Sequence, residues 1–196
     1  VSTAPAPIAA ARFVTTITPS FSSHRTQNDR TRASPLRRRH QRAIVRLVAE
    51  QMQLDRDFTD RAIPERLQPM DEQLHAAGGN TFAPDLARHV ELFTGADLLV
   101  LVSPMWWFSV SAMLKGWIDR VFANGVAYSY PAVPAWSGFL GSKRGMLVMT
   151  SSYERDQFRA DRVGTLAHVL HPLLHGTLAY TGMEVLEPFI AYAADS

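Results

Sequence analysis

Two short apolar runs constrain the fold more than any other feature of this chain. The segment ADLLVLVSP ends at Pro104, and the segment RGMLVMTSS runs from Arg144 to Ser152. Each is an almost unbroken aliphatic stretch that ends in small or hydroxyl-bearing residues. Such runs are typical of strands buried on both faces, which occur in parallel sheets covered by helices. The two runs therefore predict a parallel sheet.

A helical pattern precedes the first run. Pro84 suits the first turn of a helix that continues to about Thr94. The spacing of Leu86, Val90 and Phe93 places all three on one face of that helix. We therefore expect an amphipathic helix that packs this face against the sheet.

A second amphipathic pattern, VSAMLKGWIDRVFA, lies between the two apolar runs. We expect its inward face to consist of Met113, Leu114, Trp117 and Val121. Asp119 and Arg120 are predicted to form ion pairs on the helix surface. A helix that connects two strands in this way is typical of an α/β fold with a parallel sheet.

The rest of the chain continues this alternation. Arg12 to Thr18 is rich in β-branched residues and predicts a strand. Ala43 to Val48 predicts another, although a helix through Gln53 fits almost as well. Arg162 to Gly182 predicts a helix with a kink near Pro172, and MEVLEPFIAYA predicts a final strand.

Composition narrows the class of protein. The 196 residues, 46% of them hydrophobic, are enough for one sizeable core, so we expect a single domain after an Ala/Pro-rich, disordered tail at residues 1–11. The chain has no cysteine, which suits a reducing cytoplasm, and no apolar run long enough to span a membrane. The net charge of +2 argues against binding of nucleic acid by the whole protein.

Two groups of basic residues have alternative interpretations. The arginine-rich stretch from Arg30 to Arg42 could contact nucleic acid or target the protein, but it lacks interleaved aromatic residues, and a solvated face is favoured. His168, His171 and His175 share a helical face. No acidic residue or cysteine lies near them in sequence, so we predict surface or interface histidines and no metal site.

The two apolar runs are followed by segments that could hold a planar ligand. Ligands of open parallel sheets bind beyond the carboxyl ends of the strands. One run leads into SPMWWFS, which offers flat aromatic faces, and the other into TSSYERDQF, which offers hydroxyl and amide donors. Flat faces and polar edge donors suit a tricyclic flavin ring. The chain contains neither GxGxxG nor GxxxxGK[ST], so a dinucleotide fingerprint and a P-loop are both unsupported.

The chain also resembles a known family. The segments FAPDLARHVELFTGADLLVLVSPMWWFSVSAMLKGWIDRVFANGVAYSY and LHPLLHGTLAYTGMEVLEPFIAY are similar to the NAD(P)H quinone oxidoreductases of the DT-diaphorase type, and the resemblance covers roughly Leu54 to Ala194. It implies a flavodoxin-like three-layer sandwich over residues 12–196, with a parallel five-stranded sheet in the order 2-1-3-4-5. It also implies FAD (FMN is the alternative), NAD(P)H as co-substrate, ping-pong hydride transfer to a quinone, and a homodimer with active sites at the interface.

Site residues follow from the resemblance by position. It implies that the flavin is bound by Ser20, Phe21, Ser22, Gln68, Pro104, Met105, Trp106, Trp107, Phe108, Met149, Thr150, Ser151 and Ser152. It implies that Tyr128 and Tyr130 close over the quinone and the nicotinamide and take part in catalysis.

The chain departs from the family at several places. Ser151 and Ser152 replace a Gly-Gly pair, and Gln157 and Val163 stand where related enzymes carry a Tyr and a His. Residues 12–53 are atypical, and we expect the family's last helix to be absent because the sequence stops at Ser196. Two alternatives stay open, the second of which is motivated by the atypical region from Thr18 to Arg39. One is reduction of nitro or azo compounds, and the other is a flavodoxin-like binding or regulatory subunit with impaired flavin binding and no turnover.

Overall fold

A computed structural model describes the backbone of residues 13–17 and the segments 54–130 and 139–194. The predicted tail at residues 1–11, the predicted strand at Ala43–Val48 and the arginine-rich stretch lie outside these segments. No helix in the described segments is long and apolar enough to cross a membrane.

The sheet is parallel, as predicted. Its strands are β1 (Phe13–Ile17), β2 (Leu98–Pro104), β3 (Arg144–Thr150), β4 (Glu184–Val185) and β5 (Phe189–Ala191). β1 pairs with β2, β2 pairs with β3, and both β4 and β5 pair with β3 on its other edge. These positions match four of the five places in the expected order, and the strand predicted for the fifth place lies outside the described segments.

The final strand is broken where one continuous strand was predicted. β4 and β5 occupy the same edge of β3 and are separated by Leu186, Glu187 and Pro188. Pro188 has no backbone N–H, so it cannot donate to the sheet and is tolerated at an edge or an interruption. The prediction of a final strand over MEVLEPFIAYA was correct, but its division into two strands was not predicted.

The apolar runs are fully buried on one face only. Leu99, Leu101, Leu147 and Met149 are 2% exposed or less, whereas the alternate residues of β2 are only half-buried. Side chains of a strand point alternately to the two faces of a sheet. The predicted burial on both faces is therefore complete on the face that carries the main core and partial on the other.

Four α-helices accompany the sheet in the described segments. They are α1 (Pro69–Gly79), α2 (Pro84–Gly95), α3 (Ala112–Val121) and α4 (Leu166–Leu173). The predictions for α2 and α3 are confirmed to within two residues at each end. Helix α1 was not predicted from the sequence, although Pro69 at its first position and acidic residues in its first turn are helix-start signals.

Aromatic residues join α2 to α3. Phe93 of α2 meets Trp117 of α3 edge to face, with ring centroids 6.2 Å apart, and lies 4.7 Å from Phe122. Phe93 and Trp117 are each 1% exposed. Of the other predicted inward residues, Leu114 and Val121 are fully buried and Met113 is half-buried. This aromatic cluster packs α3 against α2 and so holds the helix that follows the loop after β2.

Arg120 corrects one prediction. Asp119 does pair with Lys115 on the surface, but Arg120 is 2% exposed and forms an ion pair with Asp57, which is 3% exposed. The Arg120 Nε–H donates to Asp57 Oδ2 at 2.8 Å. The prediction of a surface pair was wrong for Arg120 because its partner lies 63 residues earlier in the chain, beyond the reach of helical spacing.

A buried carboxylate anchors α1. Glu72 is fully buried and accepts hydrogen bonds from the Arg61 guanidinium and the amides of Ala62 and Ile63, at 2.7–3.3 Å. Burial raises the pKa of Glu72, but the amide and guanidinium donors outweigh burial, and the net effect lowers the pKa. Glu72 is therefore ionised at neutral pH and holds the turn before α1 in place.

The last helical stretch changes geometry after Pro172, where a kink was predicted. α4 gives way to a π-helical turn at Leu174–Leu178 and then to a 3₁₀ turn at Ala179–Thr181. Pro172 lacks the N–H of a regular helix, and a widened turn is one way to accommodate it. His168, His171 and His175, which were predicted to be surface or interface residues, are exposed in this stretch. The rings of His171 and His175 stack with their centroids 4.7 Å apart.

Candidate functional site

Two loops emerge side by side at the carboxyl edge of the sheet. Pro104 ends β2 and lies opposite Thr150, the last residue of β3. The Met105 N–H donates to the Thr150 carbonyl at 2.8 Å, and the Ser151 N–H donates to the Ala191 carbonyl at 2.8 Å. Strand pairing thus continues one residue into each loop and fixes the position of both.

Two buried serines hold the ends of the first loop together. Ser103 Oγ accepts the N–H of Ser111 at 3.0 Å and donates to the Pro104 carbonyl at 2.9 Å. Ser111 in turn caps α3, because its Oγ accepts the Leu114 N–H. Both serines are 2% exposed. This clamp was not predicted from the sequence, although a serine directly before a helical pattern is a capping signal.

The tip of the first loop is a tight turn with strained residues. Trp106 and Ser109 exchange two backbone hydrogen bonds of 2.9 and 3.0 Å. Trp107 and Phe108, between them, have φ of 52° and 58°. Positive φ at both central residues is the pattern of a type I′ turn, which favours Asn and Gly. Two bulky residues in this conformation are costly, and such strain is concentrated at functional sites.

The aromatic side chains of this turn differ in burial. Trp107 is 96% exposed and Trp106 is 48% exposed, whereas Phe108 is half-buried. A nearly fully exposed tryptophan contributes almost nothing to the core. Core packing therefore does not explain Trp107, and its flat face is available to a ligand.

The two loops enclose a pocket of about 570 Å³. It is lined by Met105, Trp106, Trp107, Phe108, Ser151, Ser152 and Tyr153. None of these lining residues carries a charge at neutral pH. Its volume is in the range of small-molecule sites, and flat aromatic faces with a few hydroxyls suit a planar, uncharged ring system.

Tyr153 is a lining residue that the sequence analysis did not single out. Its N–H donates to Ser151 Oγ at 3.0 Å, and its ring lies 5.6 Å from that of Phe108. The residue directly follows the hydroxyl-bearing segment that ends β3. Its position beside that segment was the signal available in the sequence.

The structure brings together part of the predicted flavin-binding set. Six predicted residues line the pocket, namely Met105, Trp106, Trp107, Phe108, Ser151 and Ser152. Three neighbours do not line it: Pro104 and Thr150 end their strands, and the Met149 side chain is buried in the core. Gln68 lies at the start of α1. Ser20, Phe21 and Ser22 lie outside the described segments.

Tyr128 and Tyr130 are absent from the pocket lining. Tyr130 is 60% exposed, and its N–H donates to Asn124 Oδ1 at 2.9 Å. Tyr128 is half-buried with its ring centroid 6.4 Å from that of Tyr180. Burial, with a smaller contribution from Tyr180, raises the pKa of the Tyr128 phenol, so this side chain keeps its proton at neutral pH.

Comparison with known proteins identifies the family. The model of the family described as flavodoxin-like fold matches residues 18–196. The chain therefore belongs to the flavodoxin-like family, in agreement with the parallel sheet and with a pocket at its carboxyl edge.

Two curated relatives of this chain are named as quinone dehydrogenases. Ribosyldihydronicotinamide dehydrogenase (quinone) of Mus musculus is 42% identical over 101 residues, which are 51% of this chain and 43% of the relative. NAD(P)H dehydrogenase (quinone) 1 of Cavia porcellus is 34% identical over 129 residues, 66% of this chain and 47% of the relative. The chain thus spans less than half the length of each.

A solved structure agrees with these relatives. A crystal structure of a proposed quinone reductase from Klebsiella pneumoniae superposes with a TM-score of 0.67 at 27% identity, covering 79% of this chain and 70% of that one. The predicted fold class and family resemblance are both confirmed by these comparisons.

Proposed function

We propose that this protein is a flavin-dependent NAD(P)H:quinone oxidoreductase. The observation that carries the proposal is the pocket at the carboxyl edge of β2 and β3, with its strained turn and its exposed tryptophan. The names of the two curated relatives, both quinone dehydrogenases, support the same reaction.

The residues present fit a flavin ring. Trp106, Trp107 and Phe108 offer flat faces, and Ser151 and Ser152 offer hydroxyls at the facing edge. Covering about 200 Å² of an exposed tryptophan is worth about 5 kcal/mol before the costs of association. A bound flavin would supply the capacity to accept a hydride from NAD(P)H and pass it to a quinone.

The chain's own residues would orient the ring and exclude water. The turn from Trp106 to Ser109 is fixed at its base by the Ser103–Ser111 clamp, so its aromatic faces are preorganised. Ser151 Oγ accepts the Tyr153 N–H, and this hydrogen bond does not use the hydroxyl proton of Ser151. An uncharged lining favours a neutral, planar acceptor such as a quinone.

A homodimer would complete the site. In this proposal Tyr128 and Tyr130 contribute to the pocket of the partner subunit, and their absence from the pocket lining of their own chain supports this arrangement. The raised pKa of Tyr128 keeps its phenol protonated, so it could donate a hydrogen bond to a quinone carbonyl. FAD is the proposed flavin, with FMN as the alternative, and the cytoplasmic location stays a prediction.

Steady-state kinetics test this function. Purified protein incubated with FAD should oxidise NADPH only when a naphthoquinone is present, and reciprocal plots at several quinone concentrations should be parallel, as for a ping-pong reaction. Replacement of the Ser103 hydroxyl in Ser103→Ala should reduce turnover by loosening the loop. A folded protein that binds FAD without turnover, or binds none, would favour the binding or regulatory subunit.

A further inference from the structure

Four aromatic residues form a continuous row behind the pocket. Phe108 lies 5.6 Å from Tyr153, Tyr153 lies 5.9 Å from Phe158, and Phe158 lies 6.1 Å from Tyr192, all measured between ring centroids. The ring planes meet at 55–64°, which is within the range of favourable tilted pairs. This aromatic row runs from the strained turn to the residue that follows β5.

The middle of the row is firmly anchored. Phe158 is 8% exposed. The Tyr153 backbone is held at both ends, because its N–H donates to Ser151 Oγ at 3.0 Å and its carbonyl accepts the Ala193 N–H at 3.2 Å. Tyr153 therefore presents its ring to Phe108 from a fixed position.

Phe108 is the member of the row that needs support. Its φ of 58° belongs to the left-handed region that bulky residues avoid. Its neighbour in the turn, Trp107, is 96% exposed and gains almost no packing in return for the same conformation. The contact between Phe108 and Tyr153 is therefore a side-chain interaction that offsets strain at the tip of the turn.

We propose that Tyr153 is a positioning residue whose ring, rather than its hydroxyl, holds Phe108 in the left-handed conformation and so preorganises the aromatic wall of the pocket. The row behind it transmits this support from Phe158 and Tyr192. The proposal rests on the proposed function only in taking a flavin as the ligand that the wall receives.

Amide hydrogen exchange on the flavin-free protein tests the support directly. The amides of Trp106 and Ser109 close the turn, so their exchange rates report whether it stays formed. In Tyr153→Leu, which removes the ring, both amides should exchange roughly two- to tenfold faster than in the wild type. In Tyr153→Phe, which removes only the hydroxyl, exchange should stay at the wild-type rate. Tyr180→Leu, a ring deletion beside Tyr128 and outside the row, is the matched control and should leave both amides unchanged.

Two exchange results would overturn the proposal. Unchanged exchange in Tyr153→Leu would mean that the ring does not support the turn. Equal acceleration in Tyr153→Phe and Tyr153→Leu would mean that the hydroxyl, not the ring, supports the turn.

Titration with FAD adds a second comparison, in which Tyr153→Leu should bind FAD more weakly than Tyr153→Phe. Equal affinities would refute the preorganisation of the wall. Failure of the wild type to bind FAD would contradict the proposed function, while the exchange rates would still decide the role of Tyr153.

Discussion

Replacing Trp107 with glycine tests whether the tip of the pocket turn is strained. Trp107 has φ of 52° and is 96% exposed, so its side chain gains little from the fold while its backbone occupies an unfavourable region. Glycine adopts this conformation without steric cost. We therefore expect Trp107→Gly to stabilise the flavin-free protein, although it deletes a large residue.

The magnitude follows from two opposing contributions. An L-residue in the left-handed region costs about 1–2 kcal/mol, which glycine relieves. The greater freedom of glycine in the unfolded chain costs about 0.4–1 kcal/mol. The net gain is about 0.5–1 kcal/mol, which raises Tm by about 1–4 °C for a chain of this size. Trp107→Ala keeps a Cβ atom and hence the strain, so its stability should stay close to that of the wild type.

Urea unfolding followed by far-ultraviolet circular dichroism measures this difference without relying on tryptophan fluorescence. The order of unfolding midpoints should be Trp107→Gly above both Trp107→Ala and the wild type. Both variants should also bind FAD more weakly, because each removes the flat face. A glycine variant no more stable than the alanine variant would refute the argument that the turn is strained.

Three further predictions concern the frame that carries the site. Arg120→Ala removes the buried ion-pair partner of Asp57 and should lower the free energy of unfolding by about 3–5 kcal/mol, measured by urea denaturation. The pKa of Glu72 is lower in the folded than in the unfolded protein, so its ionised form stabilises the fold. This stabilisation is fully present above the unfolded pKa of about 4.3 and is lost as the pH falls through the lower, folded pKa. The free energy of unfolding should therefore fall less steeply at acid pH in Glu72→Gln than in the wild type. Gly125 has φ of 87°, and an added Cβ would lie 2.8 Å from the Ala77 Cβ. Gly125→Ala should therefore lower the free energy of unfolding by about 1–3 kcal/mol, measured by thermal unfolding.

Regular patterns in the sequence predicted the elements that position the site. The apolar runs that became β2 and β3, and the periodic spacing that became α2 and α3, depend on local residue order and were correct. The aromatic residues that follow β2 also depend on local residue order, and their concentration there indicated the wall of the pocket. A run of large aromatic residues directly after an apolar strand pattern is recognisable in the sequence without knowledge of tertiary contacts.

Features that depend on distant partners were not predictable in this way. Arg120 is charged and was assigned to the surface, but Asp57 makes its burial tolerable. The positive φ of Trp107 and Phe108 contradicts their intrinsic preferences, so no propensity argument would have assigned that turn to this segment. The role of Tyr153 depends on its contact with Phe108, which lies on another loop. In each case tertiary packing overrides the local preference.

The absorbance spectrum of the protein, after incubation with FAD and removal of the free cofactor, tests the central claim most directly. We expect a retained flavin band in the visible spectrum that is bleached by NADPH without oxygen and restored by a quinone. The band should be weaker in Trp107→Ala prepared in parallel. A folded protein that retains no flavin would contradict the claim that the aromatic pocket at the end of β2 and β3 is a flavin site.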